Sequence, residues 1–407
     1  MMSVSLEKLS VGVVGGGIAG AAAALMLGRL GAQVTLYEQV IEPRAVGAGI
    51  LLQPMGLAVL RALDASMEAE MQGAQIIQLL GHNPRGQVVL DSRYEDWRAD
   101  SYGLGIHRGA LYDALWRRLR LLPNVTVRTG MDVVQLKQNG AQVLLSAVND
   151  ESATHDLLID AEGVHSKLRA QLDIAYTAKP YPWGAFWAIL PMTAGWSRDV
   201  LLQRYLAARQ MAGVLPMGTF GGQEMASLFW SVPAARLADK PSLDEFKNEV
   251  LQLWPELAEF LAGLTDGGQI AAARYSDVVM QHWHDRRVVL IGDAAHAMSP
   301  QLGQGATMGL LDAYVLTQML RQANDVPEAL SQYSAARKHH LRYYQWASRW
   351  LTPLFQSNRT VAPWLRDRFM NSGNIVPAVR RVGARTLVGA KQGWFRRDFD
   401  VDGIVPF

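Results

Sequence analysis

The sequence predicts an α/β fold in which a parallel sheet carries an inserted, mostly antiparallel sheet and is followed by a helical C-terminal segment. Three observations predict it: an N-terminal strand–helix–strand unit, a long central stretch of alternating apolar and polar residues, and a basic helical pattern from about residue 326. Of the 407 residues, 49% are hydrophobic and 19% are charged, which is the composition of a folded chain of about two or three structural units.

Composition also excludes several kinds of chemistry. The chain has no cysteine, so a thiolate nucleophile, a cysteine-ligated metal centre and a disulfide are all excluded. The first residues, MMSVSLEKLS, lack a basic region followed by an apolar core, so we expect no signal peptide and a cytoplasmic protein. The uncharged stretch from Val11 to Gly28 is long enough for a membrane span. Its three consecutive glycines instead favour a buried strand, a turn and a helix.

Hydrophobic periodicity gives the elements of the parallel domain. Strands are predicted at Val11–Val14, Val34–Tyr37, Val125–Arg128, Leu157–Asp160 and Val288–Ile291. Helices are predicted at Ile18–Leu30, Arg108–Leu122 and Gly305–Leu320. Two further strands, Asp132–Lys137 and Gln142–Ser146, flank the turn Asn139-Gly140, which is typical of a hairpin.

Three units follow from these patterns. A discontinuous α/β domain is predicted over residues 1–75, 101–172 and 281–325. Residues 76–100 and 173–280 alternate apolar and polar positions and carry turn signals such as Gly221-Gly222, so we expect them to form the inserted sheet. Residues 326–407 form the helical, basic segment.

Although the net charge of the chain is only +2, the charges are distributed unevenly along the sequence. Residues 337–407 hold 13 Lys+Arg and 4 Asp+Glu, a local charge of 13 − 4 = +9, and they contain Trp346, Trp350, Trp364 and Trp394. Contact with an anionic membrane surface or a polyanion would use such a segment. We favour the alternative that the basic faces are solvated and the tryptophans lie in the core. No nucleic-acid-binding motif accompanies the charge, so no nucleic-acid partner is expected.

A glycine-rich motif follows the first strand. Gly15-Gly16-Gly17-Ile18-Ala19-Gly20 fits G-x-G-x-x-G, in which the first glycine allows a tight turn, the second lets the backbone approach a pyrophosphate and the third lets helix pack on strand. The start of the helix offers free N–H groups to the phosphates. Glu38 ends the second strand and can accept from both ribose hydroxyls, which disfavours a 2′-phosphate. The pattern therefore predicts an adenine dinucleotide, either NAD or FAD.

Two later segments distinguish these cofactors. One runs from Arg287 through Gly292, Asp293, His296 and Pro300 to Gly303-Gln304-Gly305 and Asp312; the other is Asp160-Ala161-Glu162-Gly163 with Ser166 and Arg169. Together with the N-terminal motif, Arg44, Gly47-Ala48-Gly49 and His107-Arg108, they resemble the motifs of single-component (class A) FAD-dependent monooxygenases, the para-hydroxybenzoate-hydroxylase-like family. The matches extend from about residue 11 to 313, and within the family the chain is most similar to salicylate-, nicotinate- and alkylquinolone-hydroxylase-like members.

This resemblance implies a Rossmann-type FAD-binding domain with an inserted substrate domain. Asp293 would hold the ribityl hydroxyls, and the N–H groups at the start of the helix after Gly303 would stabilise negative charge on the reduced flavin. The implied cofactor-binding residues are Gly15, Gly17, Ile18, Ala19, Gly20, Glu38, Arg44, Gly49, Arg108, Glu162, Gly292, Asp293, Gly303, Gly305 and Ala306. Candidates for the flavin edge are Pro300, Gly303, Gln304 and Gly305. The family has Asp at the position of Glu162, and often Asn and Glu at the positions of Thr307 and Leu311.

The reaction implied is hydroxylation of an apolar aromatic small molecule, in which NADH or NADPH reduces FAD transiently and O2 reacts to a flavin hydroperoxide. Aromatic residues crowd the inserted sheet, and the candidate substrate contacts are Leu51, Gln53, Trp187, Tyr205 and Phe229. Epoxidation, Baeyer–Villiger oxidation and hydroxylation of a membrane-associated quinone precursor remain alternatives on the same scaffold. A protein that binds flavin without catalysing a reaction is a further alternative.

Two points concern catalytic groups. Residues 50–55, which follow Gly49, contain no His, Asp or Glu, so we expect either an electron-rich substrate or a base from elsewhere in the chain. His282 and His284, with His296, have the spacing of metal ligands on a strand, but no carboxylate pattern accompanies them and we expect no metal. The oligomeric state stays open.

Overall fold

The structure of the protein is a computed structural model that describes residues 4–43, 48–373 and 376–407, without the side chains of residues 369–373. Two residues of the family motifs, Arg44 and Gly47, lie outside the described residues. Among those that are described, no helix combines the length and apolar character needed to cross a bilayer.

Four sheets contain the strands of the described chain. The strands are β1 (Ser10–Val14), β2 (Gln33–Glu38), β3 (Gly49–Leu52), β4 (Ala74–Ile76), β5 (Gln78–His82), β6 (Val88–Arg93), β7 (Gly103–His107), β8 (Val125–Thr129), β9 (Val133–Asn139), β10 (Gln142–Ala147), β11 (Ser152–His155), β12 (Leu157–Asp160), β13 (Tyr176–Pro191), β14 (Val200–Leu206), β15 (Gln210–Phe220), β16 (Gln223–Pro233), β17 (Ala271–Met280), β18 (His284–Asp285) and β19 (Val288–Leu290).

Helices cover the sheets and make up most of the C-terminal quarter. They are α1 (Ile18–Arg29), α2 (Pro54–Ala62), α3 (Ser66–Gln72), α4 (Arg108–Leu119), α5 (Leu243–Leu253), α6 (Ala258–Ala262), α7 (Asp293–His296), α8 (Gly305–Gln322), α9 (Val326–Phe355), α10 (Val361–Gly373) and α11 (Pro377–Leu387). Short 3-10 helices lie at Leu6–Lys8, Tyr94–Asp96, Arg169–Gln171, Ala234–Leu237, Pro255–Leu257, Gly267–Gln269 and Pro300–Leu302.

The first sheet has six strands in the order β18-β19-β12-β1-β2-β8. β1 pairs in parallel with both β2 and β12, as the strand–helix–strand pattern predicts. The residues of β1 from Val11 to Val14 are buried because helices cover the sheet. The carboxyl ends of β1, β2 and β12 therefore lie side by side, and this edge carries the glycine-rich turn, Glu38 and Asp160.

The second large sheet has seven strands in the order β17-β13-β16-β15-β14-β5-β6. It joins the two segments expected in the inserted sheet, because β5 and β6 come from residues 78–93 and the other strands from residues 176–280. The pairings are antiparallel except that β14 and β5 run parallel. The predicted fold class, a mixed α/β fold with a mostly antiparallel sheet and a helical C-terminal segment, is confirmed.

The predicted boundaries differ from the observed ones by a few residues. Helix α4 ends at Leu119 instead of Leu122, because Pro123 disfavours helical geometry at the residue before it and the last turn is completed by 3-10 bonds. Strand β9 extends to Asn139, and Gly140, with φ of +59°, makes the hairpin turn into β10.

The C-terminal segment corrects one expectation. The tryptophans expected in the core, Trp346, Trp350, Trp364 and Trp394, are all exposed. The buried residues of α9 include instead Leu330, Tyr333, Leu341, Tyr344 and Ala347. Tryptophan exposed at four positions in one segment is unusual for a residue that normally buries most of its surface.

Candidate functional site

The glycine-rich turn is built as the motif predicts. Gly15 has φ of +100°, a conformation that favours glycine, and a Cβ there would lie 2.3 Å from the carbonyl oxygen of Ala161. A Cβ on Gly20 would lie 1.9 Å from the carbonyl oxygen of Gly15, so the helix can approach the strand only with glycine at this position. Both contacts bring α1 and the end of β12 against the turn.

Gly17 is different, because a Cβ there would have no atom within 4 Å. Gly17 precedes α1 and provides no side-chain cap, so the first N–H groups of the helix, including those of Ile18 and Ala19, have no capping side chain. Open space beside uncapped N–H groups at a helix N-terminus is a suitable binding site for a pyrophosphate.

Glu38 lies beside the same turn. Its Oε2 accepts from the N–H of Gly16 at 2.8 Å and its Oε1 accepts from the N–H of Val40 at 3.0 Å. The Nε1–H of Trp116, on α4, donates to the carbonyl oxygen of Gly16 at 2.9 Å. The carboxylate is therefore held at the turn in the place where the ribose hydroxyls are expected. Trp116 is a residue of this site that no motif in the sequence indicates.

The segment after β12 forms a tight polar turn. Asp160 is fully buried, and its carboxylate accepts from the hydroxyl of Ser166 at 2.6 Å and from the N–H of Glu162 at 3.1 Å. The Oε2 of Glu162 accepts from the N–H groups of Lys167 and Leu168 and from Ser166. The structure thus uses the Glu162 carboxylate to cap this turn. Its predicted contact with the cofactor stays a prediction.

Both carboxyls of this turn have raised pKa values. Burial, with the nearby charge of Glu162, raises the pKa of Asp160 to about 7. Burial also raises the pKa of Glu162, partly offset by the bonds from Leu168, Ser166 and Lys167. Arg169 ties the turn to the next motif, since its Nη1 donates to the carbonyl oxygen of Ala294 at 2.8 Å.

The third motif brings its glycines to the start of α8. Gly303 has φ of +59° and ends the 3-10 helix that begins at Pro300, and Gly305 opens α8 without a side-chain cap. The Oδ1 of Asp293 lies 3.9 Å from the Cβ position of Gly305, and both residues are exposed. The exposed carboxylate and the helix N-terminus therefore face a common space, in which Ala306 occupies the first turn of α8.

The three motifs converge although they are far apart in sequence. The Cβ of Ala19, in α1, lies 3.0 Å from the Cβ positions of both Gly292 and Gly309. The glycine-rich turn, the end of β19 and helix α8 are thus in mutual contact. The open space at Gly17 fits the central pyrophosphate of an extended dinucleotide and the uncapped start of α8 fits its flavin end, so the residues present fit FAD.

A buried ionic network lies behind this junction. Asp312 accepts from the N–H of Gly292 at 2.8 Å, from Nε2 of His296 at 2.5 Å and from Nε of Arg337 at 2.7 Å. Burial alone would raise the pKa of Asp312, but His296, Arg337 and the N–H of Gly292 lower it to about 2. Arg337 also donates from Nη1 to Nδ1 of His340 at 2.5 Å. His296 therefore pairs with a carboxylate rather than with backbone.

The C-terminal segment braces the start of α8. The Nε2 of Gln304 donates to the carbonyl oxygen of Leu387 at 2.7 Å, and the Nε2 of His340 donates to that of Gly389 at 2.8 Å. The N–H of Met55 donates to the carbonyl oxygen of Val388 at 3.3 Å. Desolvation, and next the positive charge of Arg337, lowers the pKa of His340 well below its ordinary value, which agrees with a neutral ring carrying its proton on Nε2.

The candidate substrate contacts separate into groups. The Nε2 of Gln53 and the carbonyl oxygen of Leu51 lie 3.5 Å and 4.0 Å from the Cβ position of Gly303, so both residues border the flavin-edge turn. Trp187 and Phe229 pair at 5.3 Å in the seven-stranded sheet. Tyr205 is fully buried, where it packs against Phe355 and the guanidinium of Arg366 lies over its ring, and its predicted substrate contact stays a prediction.

Gln53 has an unusual hydrogen-bonding state. It is fully buried, its Oε1 accepts from the hydroxyl of Tyr94 at 2.7 Å, and its Nε2 has no partner among the described residues. Its N–H donates to Oγ1 of Thr307, the position where the family often has Asn. An unpaired buried donor is costly, so a ligand oxygen is expected to accept from it.

Other predicted residues have clear local surroundings. Gly49 donates its N–H to Oγ of Ser227, and a Cβ there would lie 2.5 Å from Sδ of Met217, so β3 packs tightly on the inserted sheet. Arg108 is exposed at the start of α4, and its N–H donates to the carbonyl oxygen of Ala48. These contacts do not test whether Arg108 or Gly49 touches the cofactor.

The metal candidate considered in the sequence was His282 and His284 with His296. The rings of His282 and His284 lie 5.5 Å apart, and Nδ1 of His284 bonds to Oγ of Ser334. Within the described ranges, no group of three or more His, Cys, Asp or Glu side chains is arranged to hold a metal ion.

Comparisons with known proteins agree with this geometry. The sequence model of the family described as FAD binding domain matches residues 8–344. Aurachin C monooxygenase/isomerase of Stigmatella aurantiaca is 26% identical over 389 residues, covering 93% of this chain and 97% of that protein. The 3-hydroxybenzoate 6-hydroxylase of Klebsiella oxytoca is 27% identical over 348 residues, covering 83% of this chain and 86% of that protein.

Solved structures are similar as well. The tetrameric form of 2-methyl-3-hydroxypyridine-5-carboxylic acid oxygenase superposes with a TM-score of 0.75 at 25% identity, covering 89% of this chain and 96% of that one. HpxO of Klebsiella pneumoniae, solved in complex with FAD and uric acid, superposes with a TM-score of 0.81 at 20% identity, covering 95% and 98%. At that identity the second likeness shows the fold alone.

Proposed function

The chain belongs to the FAD binding domain family and is an FAD-dependent monooxygenase, and from this premise we propose that it hydroxylates an apolar aromatic small molecule with NADH or NADPH as electron donor. The resemblance stated from the motifs, FAD as cofactor and the monooxygenase class are thereby confirmed. The observation that carries the proposal is the convergence of three motif segments on the uncapped start of α8, beside the unpaired donor of Gln53.

In this proposal the residues divide the binding of FAD among themselves. The turn at Gly17 and the N–H groups of Ile18 and Ala19 hold the pyrophosphate, and Glu38 exchanges its backbone partners for the ribose hydroxyls. Asp293 holds the ribityl chain. The N-terminus of α8 at Gly305 stabilises negative charge at the pyrimidine edge. Bound FAD supplies the redox chemistry, accepting two electrons from the nicotinamide and activating O2.

The substrate side of the proposal rests on Gln53, Trp187 and Phe229. Gln53 is oriented by the hydroxyl of Tyr94, so its Nε2–H points to an oxygen of the bound ligand and positions it at the flavin edge. The Trp187–Phe229 pair supplies an aromatic wall, and the Nε1–H of Trp187 donates to the hydroxyl of Tyr275 at 3.2 Å. An aromatic ring bearing an oxygen substituent would satisfy both parts of the site.

No general base is assigned to this site. Burial raises the pKa of Tyr275 to about 12 and raises that of Tyr94 further, so both hydroxyls stay protonated at neutral pH. Of the two alternatives, an electron-rich substrate or a base from elsewhere in the chain, we propose the electron-rich substrate. We expect the pH profile of kcat/KM to show no enzyme ionisation between about pH 5 and 8. A clear basic limb in that range would mean that a base acts from elsewhere in the chain.

The direct test is substrate-stimulated oxidation of NADH or NADPH by the purified flavoprotein. A panel of aromatic acids, phenols and quinolones is scored by NAD(P)H consumption, and products of the positive compounds are identified by mass spectrometry with ¹⁸O2. A gain of one labelled oxygen on the ring supports the proposal. Epoxide or ring-expanded products would favour the alternatives on this scaffold, and no stimulation by any compound would favour a flavin-binding protein without turnover.

A matched variant tests the role of Gln53. Replacing Gln53→Leu removes the donor while keeping the size of the side chain, so we expect KM for the substrate to rise by at least about tenfold. Gln135→Leu, the same substitution at an exposed position on β9, is the control and should leave KM within about twofold. Equal effects of the two variants would contradict the role of Gln53.

A further inference from the structure

Exposed aromatic side chains cluster at one place on the C-terminal segment. Trp346, Trp350, Trp394 and Phe395 are 41%, 65%, 55% and 103% exposed. The three tryptophan rings are in contact, since Trp346 lies 5.6 Å from Trp350 and 5.3 Å from Trp394, and Phe395 follows Trp394 in the chain. Three exposed tryptophan rings therefore form one contiguous surface, with the exposed Phe395 next to Trp394 in sequence, whereas exposed apolar residues are usually scattered singly.

The same surface is positively charged. Lys338, Arg342 and Arg349 follow the spacing of a single helical face that also carries Trp346 and Trp350. Arg396 and Arg397 come directly after Phe395. We call the four aromatic residues and these five cations, Lys338, Arg342, Arg349, Arg396 and Arg397, the Trp–Arg patch.

Three of the five cations lie close to His339, and Arg349 lies near the half-buried carboxylate of Asp277. The pKa of His339 is lowered by desolvation and then by Arg396, Lys338 and Arg342, which indicates that the two parts of the patch are close. In the described ranges, none of the five cations takes part in an ion pair. Asp398, the acid nearest to Arg397 in sequence, pairs instead with Arg385 and Lys391.

The patch is held on a rigid support. Tyr343, on α9, lies 5.9 Å from the ring of Trp394 and shares a hydrogen bond with Oγ1 of Thr386 at 2.7 Å. The opposite face of α9 is buried through Tyr344, Ala347 and Ser348. The aromatic rings therefore stay displayed at the surface, because folding back into the core would displace side chains that already fill it.

From these observations we propose that the Trp–Arg patch docks the enzyme peripherally on an anionic lipid bilayer. Tryptophan rings locate at the headgroup level of bilayers, and arginine and lysine side chains beside them are attracted to anionic lipid. A second copy of the chain is a poorer occupant, because a two-fold contact would place the patch against itself and oppose like charges. A peripheral contact agrees with the described part of the chain, in which no helix is long and apolar enough to cross a membrane.

The test is co-sedimentation of the full-length holoenzyme with vesicles. Vesicles of phosphatidylcholine with about 30 mol% phosphatidylglycerol are compared with phosphatidylcholine alone, at about 0.05 M and about 0.5 M NaCl. We expect binding to the anionic vesicles to exceed binding to the neutral ones by at least about tenfold and to weaken at high salt. Absence of binding to anionic vesicles at low salt would overturn the proposal.

Variants separate the patch from general charge. Two triple variants should each reduce binding by at least about tenfold. The first combines Trp346→Ala, Trp350→Ala and Trp394→Ala. The second combines Arg342→Gln, Arg349→Gln and Arg396→Gln. Trp364→Ala, an exposed tryptophan outside the patch, is the control for the first set. The control for the second set replaces three exposed cations outside the patch and combines Arg85→Gln, Lys137→Gln and Lys240→Gln.

Two further readouts decide the outcome. Flavin absorbance and melting temperature confirm that each variant is folded before its binding is compared. If the patch variants bind vesicles as well as the controls do, the proposal is wrong. A change in molar mass by light scattering in the patch variants alone would also overturn it, because the patch would then be an interface between copies of the chain.

Discussion

At the scale of single residues, the glycine-rich turn shows what a motif predicts and what it leaves open. The roles of Gly15 and Gly20 could be predicted because they depend on backbone neighbours inside one strand–helix–strand unit. The need for glycine at position 16 could not, because it depends on Trp116, which comes from α4 a hundred residues later. A Cβ on Gly16 would lie 2.6 Å from Cζ2 of Trp116 and 3.0 Å from Oε2 of Glu38.

A double-mutant cycle tests this contact. Gly16→Ala should lower FAD affinity by at least about tenfold, because the added methyl group forces Trp116 or Glu38 to move. Trp116→Phe removes the crowding atom and should recover part of the loss when combined with Gly16→Ala. Affinity is measured by fluorescence quenching of FAD. Additive losses, with no recovery in the double variant, would contradict the steric explanation.

His340 gives the fold a pH dependence of defined sign. Its pKa is lowered in the folded state, so below about pH 6.5 the unfolded chain binds more protons and the free energy of unfolding falls as the pH falls. This single group can contribute a slope of up to about 1.4 kcal/mol per pH unit. The pKa of Asp312 is lowered to about 2, so its contribution is lost only at more acidic pH.

We therefore expect His340→Gln to flatten this slope. Urea unfolding is measured from about pH 7 to about pH 5 for both proteins, and the difference isolates His340, since other histidines with lowered pKa values, such as His155, are present in both. The wild type should lose stability more steeply over this range. Parallel curves would show that His340 does not titrate with folding.

At the scale of elements, the start of α8 was predicted from Gly303-Gln304-Gly305, but its brace was not. Residues 386–390 form hydrogen bonds with Gln304 at the start of α8, with His340 on α9 and with Met55 on α2. The sequence shows no signal for this contact, because it depends on how α9 and α11 return the chain to the sheet edge, and long-range packing leaves no local periodicity. The same limit applies to Arg337, which lies in a basic helical pattern although its side chain is fully buried against Asp312.

The brace can be tested at Gly389, where φ is +93° and a Cβ would lie 3.2 Å from both Oε1 of Gln304 and Cγ of Met55. Gly389→Ala should lower the free energy of unfolding by more than about 2 kcal/mol, the sum of backbone strain and crowding. Gly86→Ala is the matched control, since φ is +76° and no atom lies within 4 Å, so it carries the strain alone. Equal costs for the two variants, measured by urea unfolding, would mean that the brace tolerates the added methyl group.

At the scale of the whole molecule, the sequence predicted the architecture because each unit has its own periodicity. It did not predict that β5 and β14 pair in parallel, which joins residues 78–82 to residues 200–206 across the inserted sheet. It also placed the C-terminal tryptophans in the core, because hydrophobicity alone cannot separate a buried residue from one on a docking surface. Departures of this kind are expected where a surface has a function other than stability.

The central claim is that the open space at Gly17 is where the FAD pyrophosphate lies, and equilibrium titration of the apoprotein with FAD tests it most directly. The Cβ of Gly17→Val would project into that space with no protein atom within 4 Å, and Gly267→Val, whose Cβ also has none within 4 Å, is the control. We predict that both variants melt like the wild type, that Gly267→Val binds FAD normally, and that Gly17→Val loses at least about 100-fold in affinity, or about 2.7 kcal/mol. Unchanged FAD binding by folded Gly17→Val, or a wild-type protein that stays colourless in excess FAD, would contradict the account.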